Sequence, residues 1–177
     1  MVIIITGAIG IGKTTVCRKL IELTRNRGCS WGGFLTYKSA NQDIIIENVQ
    51  TGEKEILAST SNVYRGPRTP KYFFNPQGIE LGIQAIDSRS SSDILLVDEI
   101  GHLELRGEGF INLLEPAKAG TFEDCVVVIR KELLSAFLPQ LPPPLLVFEV
   151  TMENRHQLPQ EISSMLLERL CQRQHTP

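Results

Sequence analysis

A mostly parallel β-sheet flanked by helices, extended by an antiparallel hairpin insertion, is the α/β architecture this sequence predicts. Three observations point to it. Four short runs dense in Ile, Leu and Val (VIIIT at 2–6, ILLVDEIG at 94–101, CVVVIR at 125–130, LLVFEV at 145–150) read as strands covered on both faces. Helical periodicity lies between them, as crossovers joining parallel strands require. The stretch 31–74 has another texture: short β-rich segments without helical spacing.

The first run is bounded by Gly7. From Lys13 to about Arg27 the apolar residues Val16, Leu20 and Leu23 recur at helical spacing among Lys and Arg, and Gly28 marks the stop. WGGFLTYKS, DIIIENV and EKEILAS follow as β-segments, the last two joined by the turn signal Thr51-Gly52. They read as a hairpin insertion or as extra edge strands. RGPRTPKYFF is a proline-punctuated loop running into a short strand. Ile79, Ile83 and Ile86 place a helix at about 77–88, and the polar break SRSSSD introduces the second aliphatic run. A helix from about Gly109 to Ala119 precedes the third. LPQLPPP is a surface connection before the fourth, and residues from about Pro159 to Gln172 form a C-terminal amphipathic helix.

At 177 residues, 42% hydrophobic and 21% charged, the chain has the composition of one globular domain over 1–177. Its 18 Lys+Arg against 20 Asp+Glu, net −2, offer no basic excess for a nucleic-acid backbone and no lysine run for a membrane surface. Nucleic acid and membrane are therefore disfavoured as partners. Cys17, Cys29, Cys125 and Cys171 are far apart with no C-x-x-C pair, and they read as reduced, mostly buried small hydrophobes. The N-terminus has no basic lead-in and its apolar run stops at Thr6, so a cytoplasmic location is the expectation.

GAIGIGKT from Gly7 to Thr14 satisfies G-x-x-x-x-G-K-[ST], directly after a strand and directly before a helix. Polyphosphate oxygens must approach this backbone closely. Glycine at 7, 10 and 12 removes side-chain obstruction and permits positive φ, so N–H groups along Gly7, Ala8, Ile9, Gly10, Ile11 and Gly12 can point inward. The helix N-terminus adds its positive end to the anion site. Lys13 supplies a full charge for the β- and γ-phosphates, the Thr14 hydroxyl is placed to ligate Mg²⁺, and Thr15 can hydrogen-bond the α-phosphate.

The second run ends in Asp98 and Glu99, at the carboxyl edge where open α/β sheets bind ligands. Asp98 takes the metal-holding Walker-B role alongside Thr14. Glu99 is placed to polarise a water for in-line attack on the γ-phosphorus. An Asp-Glu doublet favours hydrolysis over phosphoryl transfer to an acceptor hydroxyl.

Taken together, GAIGIGKTT, VDEIGHLEL followed by GF, and VTMENRHQLPQEI resemble the small P-loop nucleoside triphosphatases first described in thermophiles. The human cancer-related nucleoside-triphosphatase belongs to that family. The resemblance spans essentially the whole chain and implies a RecA-like P-loop fold. It also implies slow, Mg²⁺-dependent hydrolysis of ATP, GTP and other nucleoside triphosphates with little base selectivity. The family's phosphate loop maps onto Gly7 to Thr14 and its acidic segment onto Ile94 to Gly101, which adds Gly101 to the nucleotide-binding set. Where the family often carries Lys and Met after that glycine, this chain has His102 and Leu103.

An arginine usually meets the charge that develops on a γ-phosphate. Arg65, Arg68, Arg106 and Arg130 qualify by location, and Arg130 stands best because strand C-termini converge on the site. Arg155, with Asn154, follows the last strand where a base could stack on its guanidinium; the same residues could instead cap the final helix. Glu104 reads as a solvated loop acid, and Trp31 and Phe73-Phe74 as packing. His102, His156 and His175 lack metal-ligand spacing, and no guanine-reading N-K-x-D occurs. The leading expectation is an NTP phosphohydrolase. A small P-loop kinase and a nucleotide-dependent switch module are the alternatives.

Overall fold

Every residue of β1 (Val2–Gly7) is buried, as a strand covered on both faces must be. Val2 and Ile4 enter one core with Leu81, Ala85 and Phe137, while Ile3 and Ile5 enter the other with Val16, Leu20 and Ile162. Period-two alternation along one strand thus serves two helical layers. The structure is a computed structural model and describes residues 1–87, 92–101, 103–108, 110 and 124–174; of Glu99 and Gln174 it describes the backbone alone.

The remaining strands are β2 (Trp31–Lys38), β3 (Ile44–Asn48), β4 (Lys54–Ser59), β5 (Phe73–Phe74), β6 (Ile94–Ile100), β7 (Asp124–Arg130) and β8 (Leu145–Glu149). They join in one sheet of order β5-β4-β3-β2-β6-β7-β1-β8. The helices are α1 (Lys13–Arg25), α2 (Pro76–Asp87), the short α3 (Leu134–Phe137) and α4 (Leu158–Gln174). Helices α1 and α4 cover one face of the sheet, α2 and α3 the other. No described helix is long and apolar enough to cross a membrane.

One sequence expectation changes. Trp31–Lys38 belongs to no insertion: it pairs in parallel with β6, Trp31 opposite Ile94 through Phe34 opposite Val97. The antiparallel extension begins only at its other edge, with β3, β4 and β5. Short β-rich segments without helical spacing group 31–38 with the hairpin strands that follow. Gly33 holds φ +87, and a Cβ there would stand 1.9 Å from the Leu96 carbonyl oxygen, so glycine is what lets β2 close on β6. Apart from Phe110, the expected helix at 109–119 lies outside the described residues, as do His102 and His175. Trp31 packs as expected, buried, with Nε1 donating to Thr24 Oγ1 at 2.8 Å.

Candidate active site

The phosphate loop adopts the conformation its glycines were expected to permit. Gly7, Gly10 and Gly12 have φ of +146, +77 and +111. At Gly7 space is limiting as well: a Cβ would lie 2.8 Å from the Val150 carbonyl oxygen, where the segment after β8 presses on the loop. Ala8, Ile9 and Gly10 are exposed at the tip, whereas Lys13 and Thr14 are half-buried at the start of α1. Lys13 Nζ donates to the carbonyls of Gly7 and Ala8, both at 2.9 Å, which holds its charge over the mouth of the loop.

The opposite wall comes from the ends of β2 and β6. Asp98, 1% exposed, accepts from Thr14 Oγ1 at 3.1 Å and from the Thr36 backbone N–H at 3.0 Å. Thr14 Oγ1 also lies 3.3 Å from the Thr36 carbonyl oxygen. A hydroxyl, a carboxylate and a carbonyl converge, all oxygen, which is the donor chemistry of a hard divalent cation. Cys17, one turn along α1 from Lys13, stays a neutral thiol; burial pushes it well up and the Asp98 charge pushes further.

At the acidic doublet β6 slips against β7. Val97 pairs with Val127 but Ile100 with Ile129, so two residues, Asp98 and Glu99, oppose Val128 alone. This is a β-bulge. It reverses the alternation of the strand, returning Ile100 to the same core as Val97. The doublet therefore sits at an irregularity of the backbone. The Glu99 side chain lies outside what the structure describes.

Gly10, Gly12, Lys13, Thr14, Thr15, Asp98 and Arg130 share one cleft of about 420 Å³, completed by Thr36–Lys38 and Lys71–Tyr72. Arg130 closes β7 directly opposite Gly7 in the register with β1. Gly101 falls outside that cleft. Its N–H donates to Glu104 Oε2 at 2.8 Å, and it lines a smaller adjoining hollow. Arg155 stands against the far side of the loop, its Cδ 3.9 Å from where a Cβ of Gly12 would be. Of the other arginines, Arg65 and Arg68 are exposed, and Arg106 donates to the Arg68 carbonyl and to Glu108. Asn154 closes the turn before α4, donating to the Glu149 carbonyl and accepting from the Thr151 N–H.

Glu104 departs from expectation. It is 5% exposed rather than solvated, and its two oxygens accept from the N–H groups of Gly101 and Phe110 at 2.8 and 3.0 Å. One carboxylate thus ties both ends of the loop that follows the acidic doublet. Thr36, Tyr37, Lys38, Lys71 and Tyr72 went unnoticed in the sequence. The missing signal was the parallel pairing of β2, whose C-terminal end supplies the first three.

A family model described as NTPase matches residues 2–163. A nucleoside-triphosphatase THEP1 from Thermotoga maritima is 32% identical over 94% of this chain and 95% of its own length. That of Archaeoglobus fulgidus is 26% identical over 94% and 99%. The crystal structure of THEP1 from Aquifex aeolicus superposes with a TM-score of 0.77 at 27% identity, covering 94% of this chain and 99% of that one. The solution structure of a human cancer-related nucleoside triphosphatase shares the fold, with a TM-score of 0.70 at 22% identity over 92% and 96% of the two chains.

Proposed function

The chain belongs to the NTPase family, and on that premise we propose that it hydrolyses nucleoside 5′-triphosphates to diphosphate and phosphate, slowly, with Mg²⁺ and with broad base selectivity. The observation that carries the reading is the 3.1 Å approach of Thr14 Oγ1 to Asp98 Oδ2. Two motifs separated along the chain thereby meet at one metal-sized point, with oxygen donors only. Thr14 and Asp98 would hold the cation, which when bound supplies charge neutralisation at the phosphates.

The protein's own groups do the rest. Backbone N–H groups of the loop between Gly7 and Thr15 would face the phosphate oxygens together with the N-terminus of α1. That of Ile11 is the exception, since it donates to the Ala8 carbonyl at 3.3 Å. Lys13 turns its ammonium from the Gly7 and Ala8 carbonyls to the β- and γ-phosphates. Arg130, at the strand end beside Gly7, meets the charge gathering on the γ-phosphoryl oxygens. Glu99 orients a water whose oxygen forms the new bond to phosphorus, while the β–γ bridging oxygen departs with the diphosphate. Arg155 serves the base side through stacking, a contact indifferent to base identity, which supports broad selectivity. The near-neutral charge supports nucleotides rather than nucleic acid as ligands. Continuity of the 31–74 strands with the main sheet supports a single domain over 1–177, and four free cysteines support a cytoplasmic setting.

Phosphate release from ATP, GTP, CTP and UTP, with and without Mg²⁺, tests this reading in the wild type and in Glu99→Gln. The expected outcome is turnover of all four that requires the metal and falls on the order of 10²-fold or more in the variant. Turnover undiminished in Glu99→Gln removes that residue from its role.

A further inference from the structure

Beside the phosphate cleft lies a second hollow of about 190 Å³. Ile44, Leu57, Phe74, Leu103 and Phe110 form its body, and Phe110 is held by a ring contact with Phe34 at 4.6 Å and by the Glu104 carboxylate. An apolar cavity of about 150 Å³ is enough to take benzene. The hollow joins the cleft through a common wall of Thr36, Ile44, Lys71, Tyr72 and Arg130. Its position along the sheet is informative. Arg155 marks the β8 side of the phosphate loop, whereas this hollow opens past Thr36, on the β2 side, beyond the metal-sized point between Thr14 and Asp98. With the base on the Arg155 side, as proposed above, a triphosphate in the cleft would turn its γ end toward this hollow.

Water needs no chamber of aliphatic and aromatic side chains, which would hold it poorly. Charge defines the occupant further. Lys71 and Arg130 stand at the common wall, and the one acid among the described residues lining the hollow, Glu104, has both oxygens engaged by backbone N–H groups. We propose that this cavity is a second substrate site, taking a small carboxylic acid with an apolar body and presenting its carboxylate to the γ-phosphorus. A carboxylate oxygen forms the new P–O bond, the bond from phosphorus to the β–γ bridging oxygen breaks, and its electron pair leaves with the nucleoside diphosphate. The product is an acyl phosphate. The nucleophile is already anionic, so no proton has to be removed. The proposal rests on the reading that the phosphate loop holds a triphosphate, and it adds transfer to hydrolysis.

The test incubates the protein with ATP, Mg²⁺ and hydroxylamine, which traps acyl phosphates as hydroxamates, plus benzoate, cyclohexanecarboxylate or hexanoate. Benzyl alcohol is the uncharged control. The expected result is saturable hydroxamate from at least one acid, matched by extra ADP, and none from the alcohol. Leu57→Phe and Leu103→Phe, which fill the hollow, abolish hydroxamate and retain phosphate release; if one fails to fold, the other carries the test. Lys71→Ala, at an exposed position, raises the half-saturating acid concentration several-fold. Phosphate release with no hydroxamate from any of the three acids overturns the proposal and leaves the hydrolase reading standing. Hydroxamate that survives both cavity-filling variants overturns it too. Hydroxamate without basal phosphate release supports the second site and sinks the hydrolase reading instead.

Discussion

The two walls of the cleft are built in opposite ways. The phosphate loop is a consecutive run, residues 7–15, whose shape is set by glycine φ values and by the start of the helix that follows. The facing wall joins Thr36 to Asp98 across 62 residues, and it exists only because β2 pairs in parallel with β6 and β6 bulges at the doublet. Local chain chemistry shapes the first; tertiary pairing shapes the second. The proposed chemistry needs both, since Thr14 and Asp98 come from different walls.

The largest expected effects come from breaking each wall at its charge. Lys13→Ala and Asp98→Asn should each lower kcat/KM for phosphate release about 10²–10³-fold. If the walls act as one unit, a double variant should lose little more than either single variant alone. An Asp98→Asn protein with near-wild-type turnover would mean that the local wall suffices. Circular dichroism checks that folding survives, since the introduced amide retains an oxygen to accept from the Thr36 N–H.

Next in size are glycine substitutions, which separate backbone freedom from close approach. Gly33→Ala, with the Leu96 carbonyl 1.9 Å from the added Cβ, should cost on the order of 3 kcal/mol in urea unfolding and detach the far wall. Gly10→Ala meets nothing within 4 Å and has only its positive φ to strain, so about 1 kcal/mol is expected. If Gly10→Ala proved the costlier of the two, the local wall rather than the tertiary one would be the constrained element.

Legibility followed the same division. The phosphate loop, α1, the aliphatic strands and the position of Asp98 could be read because each is signalled by neighbours within one helical turn or one strand. The parallel pairing of β2 could not, because Gly33 answers to the Leu96 carbonyl, a neighbour only in space. The bulge at Asp98-Glu99 has no signature in ILLVDEIG, since it is a matter of register with β7. The burial of Glu104 is hidden for the same reason: nothing in HLELRGEGF says that Gly101 and Phe110 turn their N–H groups toward one carboxylate.

Glu104→Gln sharpens the comparison at the loop that follows the far wall. Glutamine keeps one acceptor and sets an amide donor against a backbone N–H, at a cost of about 2 kcal/mol in urea unfolding. Glutamine also leaves the phosphate loop untouched, so KM should hold while kcat falls with the loosened doublet. A raised KM at unchanged kcat would place Glu104 on the nucleotide instead.

Arg155→Ala is the mildest probe, and it addresses a contact outside both walls. Its Cδ methylene stands beside Gly12, and Nε of this half-buried side chain donates to the exposed His156 Nε2 at 3.3 Å. A stacking contact at such a site is worth about 1 kcal/mol, which corresponds to roughly fivefold in KM. Stacking ignores base edges, so the rise should be alike for ATP, GTP, CTP and UTP. Because the base is bound equally in ground and transition states, kcat should not move. Unequal rises would assign Arg155 to reading base edges. An unchanged KM with a lowered Tm would assign it to the turn before α4, leaving the nucleotide held by its phosphates and metal alone.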